Sequence, residues 1–274
     1  LAIDMDRSAA CDMVIDIGTN GEVALGCRDG WIATSAPAGP AFEGARISCG
    51  MPGAPGAIEH VRLNDKVTLD VIGQVAPVGI CGTGLIDAVA LLLDIGLIDE
   101  TGRLLPRDEV PATLPDWLRQ HVVEAQGEAA FLLAEATPGD DDAEPGRPLL
   151  LTQRDIRELQ LAKAAIATAC TLLLRKKNMT WDHVRRVYLA GAFGNYLRPA
   201  TARRIGLLPP IPMAKIAFIG NAASTGAKRA LVSFEDRARA EHIAGSADHI
   251  ELAAEPDFQM CYADNMLFTP PGDP

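Results

Sequence analysis

The sequence predicts an α/β domain in which helices flank a mixed sheet. Three observations carry that expectation: an apolar β-type run broken by Gly-Thr-Asn-Gly, a long amphipathic helix in mid-chain, and two later strand–loop–helix units. A hairpin first and alternating helices and strands afterwards describe a layered domain whose sheet mixes antiparallel and parallel pairs.

Met13 to Ile17 is rich in β-favouring apolar residues, and the pattern resumes over Glu22 to Gly26 after Gly18-Thr19-Asn20-Gly21. Asn-Gly between two such runs signals a hairpin, because both residues tolerate φ > 0. Residues 30–58 are Gly/Pro-rich with neither helical nor strand periodicity. They are expected as a long loop, of the kind that is functional or mobile in compact domains. Val67 to Ile72 reads as a strand. Val78-Gly79-Ile80-Cys81-Gly82-Thr83-Gly84 then leads into a helix, Leu85 to Ile95, apolar on nearly every face and stopped by Gly96. Residues 97–150 read as an inserted subdomain, with a turn at Thr101-Gly102, a strand near Phe131 to Glu135, and an acidic solvated loop at Gly139 to Asp142. Thr152 is an N-cap with Asp155 three residues on, and Ile156, Leu159, Ala162, Ile166, Ala169 and Leu173 recur at helical spacing up to Lys177. The two strand–loop–helix units start at Val187 and Ile216, the second running into a helix over Ala222 to Val232.

The 274 residues are 48% hydrophobic, enough for a sizeable core. Lys and Arg number 25 against 36 Asp and Glu, a net charge of −11. That balance argues against nucleic-acid and anionic-membrane surfaces, which reward clustered cations. It leaves nucleotide binding open, since backbone N–H groups and Mg²⁺ hold phosphates without a basic patch. The six cysteines (Cys11, Cys27, Cys49, Cys81, Cys170, Cys261) contain no C-x-x-C pair, so they read as core residues and free thiols in a reducing compartment. Neither a signal peptide nor an apolar run of membrane-spanning length occurs, which makes a cytoplasmic location the expectation. Opening on Leu1 and not Met suggests a piece of something longer.

Three glycine loops carry the candidate chemistry. The first runs from Asp16 to Gly26, where Gly18, Thr19, Asn20 and Gly21 leave room for backbone amides to wrap phosphate oxygens. Asp16, ending the preceding strand, is placed to hold Mg²⁺, and Glu22, just past the turn, to orient an attacking water. The second is Gly82-Thr83-Gly84 at a helix N-terminus, which favours an anion or a ribose edge, with Asp87 one turn on as a ribose or a helix-dipole residue. The third is Gly191-Ala192-Phe193-Gly194, where glycines let backbone pass close to a flat ring.

In that order, a phosphate hairpin, a GTG helix start and an AG-x-x-G loop resemble the second half of the sugar kinase, heat-shock chaperone and actin superfamily. Its ribonuclease-H-like unit is duplicated and clamps ATP between the copies. DIGTNGE, AGPAFEGARISCGMPGAPGAIE, GICGTGLID, TQRDIRELQLAKAAI, LAGAFGNYL, IGLLP and GNAASTGAKRAL narrow this. They are similar to the C-terminal ATPase domain of the reductive activators of corrinoid enzymes, over nearly the whole chain. The resemblance implies a longer protein with an upstream two-iron ferredoxin domain and an upstream phosphate-binding half. It would couple ATP to reduction of a cob(II) corrinoid protein to cob(I) for a methyltransferase, and it is a possible homodimer. Activators of 2-hydroxyacyl-CoA dehydratases carry a cluster-ligating cysteine where this chain has Gly79, so the electron is expected from the ferredoxin domain. The segment from Thr34 to Gly56 is the candidate for touching the corrinoid protein. The runner-up is a small-molecule kinase of the same fold, for which Glu43 is the residue to watch, and a third reading is a nucleotide-sensing scaffold without turnover. The chain alone is expected to hold half the ATP contacts and to be inactive.

Overall fold

The structure, a computed structural model, describes residues 1–136, 146–191 and 197–268. It opens with a three-strand meander: β1 (Asp12–Ile17), β2 (Gly21–Cys27) and β3 (Gly30–Ala36). β4 (Ala57–Leu63), β5 (Val67–Val71) and β6 (Gly79–Ile80) precede helix α1 (Gly82–Asp94). A short helix α2 (Asp116–Gln120) comes next, followed by β7 (Val122–Ala125), β8 (Glu128–Ala134) and β9 (Leu149–Thr152). The long helix α3 (Gln153–Lys176) leads to β10 (Arg186–Ala190), α4 (Pro199–Arg204) and β11 (Ile216–Gly220). The chain ends through α5 (Ala222–Val232), α6 (Phe234–Ser246), β12 (Ala247–His249) and α7 (Phe258–Met266).

The central sheet has the order β11-β10-β1-β2-β3-β12. β1, β2 and β3 are antiparallel neighbours, while β10 runs parallel to both β1 and β11. Alternation sets its two faces. Met13, Ile15, Ile17, Val23, Leu25 and Ile32 are buried, and α3 lies across β2 and β3. Val14, Ala24, Trp31 and Ala33 point the other way, into a cavity of about 380 Å³ closed by Ala222, Ala223 and Gly226 of α5 and Ile243 of α6. Neither α5 nor α6 has a buried residue. Ion pairs hold them instead: Arg239 pairs with Asp6 and, at 2.7 Å, with Asp4, and Arg229 lies 3.0 Å from Asp236. Two three-stranded sheets, β5-β4-β6 and β7-β8-β9, lie between β3 and α3 in the chain.

Helix α3 starts at a full capping box: the Thr152 side chain accepts from the Asp155 amide, and the Asp155 carboxylate accepts from the Thr152 N–H. Its middle fastens the chain's end. Gln160 Nε2 donates to Met266 O at 2.8 Å, and Lys163 Nζ donates to Leu267 O while lying 5.2 Å from the Phe268 ring centre. Lys163 is 1% exposed, and burial lowers its pKa from 10.5 to about 8.

Two local expectations are corrected. The hairpin does not use φ > 0 at Asn20 or Gly21. Its loop is Gly18-Thr19-Asn20, closed by Gly18 N–H to Asn20 O at 3.1 Å, and Gly21 is already in β2, opposite Ile17 and Ala36. Residues 30–58 are no continuous loop either. Residues 30–36 form β3, with Ile32, Thr34 and Ala36 buried, and β4 begins at Ala57. The acidic stretch 139–142 lies outside the described residues.

Candidate functional site

The carboxyl ends of β1, β10 and β11 converge, the place where open α/β sheets collect ligands. Asp16 is the penultimate residue of β1, opposite Ala190 on one side and Glu22 on the other, and Glu22 is opposite Ser35. Directly paired residues share a face, so Asp16, Glu22 and Ser35 form one polar row. Ser35 Oγ donates to Glu22 Oε1 at 3.2 Å. Among the described residues no cation or donor holds the Asp16 carboxylate. Burial first, and the Glu22 charge second, push its pKa above the usual carboxylate range. A half-buried carboxylate facing a second one, with no cation beside either among the described residues, is the charge arrangement a divalent cation relieves.

Backbone close to Asp16 is kept bare. Gly191, where β10 ends, has φ +95°, and a Cβ there would lie 2.6 Å from Ile17 O and 2.9 Å from Asp16 Oδ1. Its N–H donates to Gly220 O at 3.0 Å, which ties the ends of β10 and β11 together. Asn221 then caps α5, its side chain accepting from Ser224 N–H at 2.9 Å. Ala192, Phe193 and Gly194 of the third glycine loop lie outside the described residues.

The hairpin glycines have different reasons. A Cβ on Gly21 would lie 2.6 Å from Ile166 Cγ1 of α3, so Gly21 is set by helix packing. For Gly18 the nearest atom would be Asn20 O at 3.4 Å, ordinary contact, and its own N–H is spent on closing the turn to Asn20 O. Thr19 is buckled to the segment after β3: its hydroxyl donates to Glu43, and its carbonyl accepts from Gly39 N–H at 2.9 Å. That segment is pinned along its length. Ser48 N–H donates to Asp155 Oδ1 at 2.7 Å, and Met51 N–H to Ile80 O at 2.9 Å. It thus joins the hairpin to the strand that feeds α1.

The Gly82-Thr83-Gly84 turn is buried throughout. Gly84 is required by the close approach of α1 to β4, since a Cβ would lie 2.2 Å from Ile58 O. Thr83 Oγ1 contacts Cys81 Sγ at 3.3 Å. Asp87 is 2% exposed and already satisfied by protein: Thr201 Oγ1 donates to Oδ1 at 2.7 Å, His60 Nδ1 meets Oδ2 at 2.8 Å, and Arg198 pairs at 3.0 Å. Three of the roughly four acceptor sites of this buried carboxylate are thus taken by protein donors. Asp87 thereby links α1 to β4 and to the start of α4.

The structure therefore brings Asp16, Gly18, Thr19, Asn20, Gly21, Glu22 and Gly191 to one end of the sheet, and places Gly82, Thr83, Gly84 and Asp87 in the adjoining α1–β4 layer. Sequence reasoning missed Ser35, Gly220 and Asn221. The Gly-Asn step after an apolar strand was a legible signal for the last two; Ser35 sat in a run taken for loop. Cys49 and Cys170 are thiols rather than thiolates, pushed up to about 11 and about 12, chiefly by burial.

A family model described as the C-terminal domain of RACo, the ASKHA domain, matches residues 10–272. The chain belongs to that family. Its fold is accordingly that of the ASKHA superfamily, in which actin and the sugar kinases also fall. Two curated relatives agree with the placement. A corrinoid activation enzyme, RamQ, from Eubacterium limosum is 38% identical over 97% of this chain and 44% of its own length. A Co(II) methylated amine-specific corrinoid protein reductase from Methanosarcina barkeri is 27% identical over 96% of this chain and 47% of its own. The solved structure of a reductive activator for corrinoid, iron-sulfur protein superposes with a TM-score of 0.84 at 33% identity, covering 97% of this chain and 41% of that one. This RACo-type domain thus spans less than half the length of the relatives it matches. No helix among its described residues is long and apolar enough to cross a membrane.

Proposed function

We propose that this chain is the ATP-handling domain of a longer protein that drives reduction of a corrinoid protein from cob(II) to cob(I). The observation that carries the ATP part is the Asp16–Glu22 pair at the end of β1, beside the Gly18–Asn20 turn and the bare Gly191 backbone. The corrinoid part is supported by the relatives, one named for corrinoid activation, one as a corrinoid protein reductase and one as a reductive activator for corrinoid, iron-sulfur protein.

In this reading the Gly18–Asn20 turn receives phosphate oxygens through the Thr19 and Asn20 amides, the Gly18 N–H being the one that closes the turn. Asp16 would hold Mg²⁺, which neutralises phosphate charge when bound. Glu22, oriented by Ser35, sets the attacking water. The chain contributes one ribonuclease-H-like sheet, so the rest of the longer protein supplies the opposing half of the ATP clamp. The electron comes from a ferredoxin-type cluster outside this chain. A one-electron step uphill by ~100 mV costs about 2.3 kcal/mol, within the range of ATP-gated differential binding. The surface for the corrinoid protein is placed on the pinned segment 37–56, whose Pro52 and Pro55 lie exposed near exposed Val75 and Val78.

Gly18→Val in the full-length protein tests the phosphate hairpin. The position has room for a Cβ and lies outside the left-handed region, so melting should stay within a few degrees of wild type while ATP hydrolysis falls more than ~10-fold. Gly21→Ala is the contrast: overpacking against Ile166 should destabilise by about 1–3 kcal/mol. Unchanged turnover in folded Gly18→Val would remove this loop from the site.

A further inference from the structure

Two cysteines meet at the base of the β1–β2 hairpin. The register pairs Asp12 with Gly26, so one residue further out it sets Cys11 opposite Cys27. Hydrogen-bonded and open pairs alternate along an antiparallel ladder. The bond from Gly18 N–H to Asn20 O fixes the phase: Ile17–Gly21 is an open pair, and so is every second pair after it, down to Cys11–Cys27. Open pairs bring Cα atoms to about 4.5 Å with the side chains close together, inside the ~4.4–6.8 Å that a disulfide spans.

The side chains agree with the register. The Cys27 thiol is a hydrogen-bond partner of Cys11. Both lie on the sheet face that α3 covers, where Met13 and Leu25, the next pair on that face, are fully buried. Lys177, just past the end of α3, stands beside them: its charge acts on Cys11, and its Nζ would lie 4.0 Å from a Cβ on Gly30, the residue opposite Cys27 in β3. Both cysteines are free thiols, Cys11 half-buried and Cys27 buried. Burial first, and the neighbouring thiol second, push the Cys11 pKa up to about 11, against the pull of the Lys177 ammonium. The ladder stops here. Arg28 N–H passes Ala10 and donates to Ser8 O at 2.9 Å, while Cys11 O accepts from Arg185 N–H at 2.8 Å.

We propose that Cys11 and Cys27 are a reversible thiol pair, which a small-molecule disulfide of the glutathione class oxidises to a cross-strand disulfide that seals the base of the hairpin. The Cys11 thiolate, the more exposed of the two, attacks the small disulfide, forms a mixed disulfide and expels one thiolate. The Cys27 thiolate then attacks Cys11 Sγ and expels the second. The two protein thiols lose two electrons and two protons, and the small disulfide takes both up and leaves as two thiols. A dithiol reductant reverses the steps. The pair lies at the opposite end of β1 from Asp16, so the proposal is independent of the nucleotide reading.

The test treats native full-length protein with oxidised glutathione, blocks the remaining thiols by alkylation, and maps unreduced peptides by mass spectrometry. Wild type should give a peptide linked through Cys11 and Cys27 in roughly tenfold excess over the glutathione adduct of Cys11, and dithiothreitol should reopen it. Cys27→Ser should stop at the adduct on Cys11, and Cys11→Ser should leave Cys27 without glutathione. Cys27→Ala serves if serine at this buried position disturbs folding. Amide exchange over residues 26–30 should slow in the linked form and not in Cys27→Ser. A lasting Cys11 adduct in wild type, a bond from Cys11 to another cysteine, or no reaction at Cys11 where denatured protein reacts overturns the pair. Unchanged exchange in the linked form overturns the seal.

Discussion

Asp16→Asn in the full-length protein should lower ATP hydrolysis by about a hundredfold or more, while leaving the apoprotein as stable as wild type or more so. Both halves follow from one observation: Asp16 faces Glu22 with no cation between them, and burial together with that neighbour raises its pKa. The raised value means that the ionised form is unfavourable in the fold. Stability contributed by the protonated carboxyl is present at low pH and lost as pH rises through the folded value. Asparagine removes that loss and the repulsion. It also removes the charge that would bind the metal, and losing one preorganised electrostatic contact at a reacting phosphate costs about 3 kcal/mol, roughly a hundredfold. Steady-state hydrolysis and thermal melting on the same preparation check it. A variant that melts lower and hydrolyses normally would make Asp16 a structural residue.

Lys163 supports a second large effect, on stability. Its pKa falls from 10.5 to about 8, because the ammonium is buried on α3 with a backbone carbonyl and an aromatic face as partners. Below pH 8 the folded and unfolded states both carry the proton, and the cost of burying the charge is felt in full. Between about 8 and 10.5 the folded state has lost the proton while the unfolded chain still holds it, so stability rises with pH across that window. At about 1.4 kcal/mol per pH unit the recovered stability is about 3 kcal/mol. Lys163→Met keeps the stem and removes the titration. Relative to this variant, wild type should gain about 3 kcal/mol between pH 8 and 10.5 in denaturant unfolding. A flat difference across the window would show that the ammonium is not buried in solution.

The fold class was legible because its signals are local. The β1–β2 run, the Thr152–Asp155 cap and the strand–loop–helix units all lie within short windows, and all were placed within a residue or two. β3 was not, because Trp31 and Ile32 stand side by side and the rest of Gly30 to Ala36 is small or polar, so that only burial reveals the alternation. The glycines were found, but their reasons were not. Gly21 answers to Ile166 and Gly84 to Ile58, partners that only the fold brings near. Asp87 was legible as a carboxylate at a helix start, and its three donors, all from other elements, were invisible. Lys163 gave no warning either, since a backbone carbonyl acceptor has no sequence signature.

The most direct test of the central claim follows the cobalt itself. Full-length protein with a reduced iron–sulfur centre would be mixed with its corrinoid partner in the cob(II) state, and cob(I) followed by absorbance with and without Mg-ATP. The proposed function predicts cob(I) accumulation that requires ATP, hydrolysis stimulated by the cob(II) partner, and neither in Asp16→Asn. Equal cob(I) without ATP, or phosphorylation of a sugar or short acid with no response to the corrinoid protein, would contradict it and favour a kinase of the same fold.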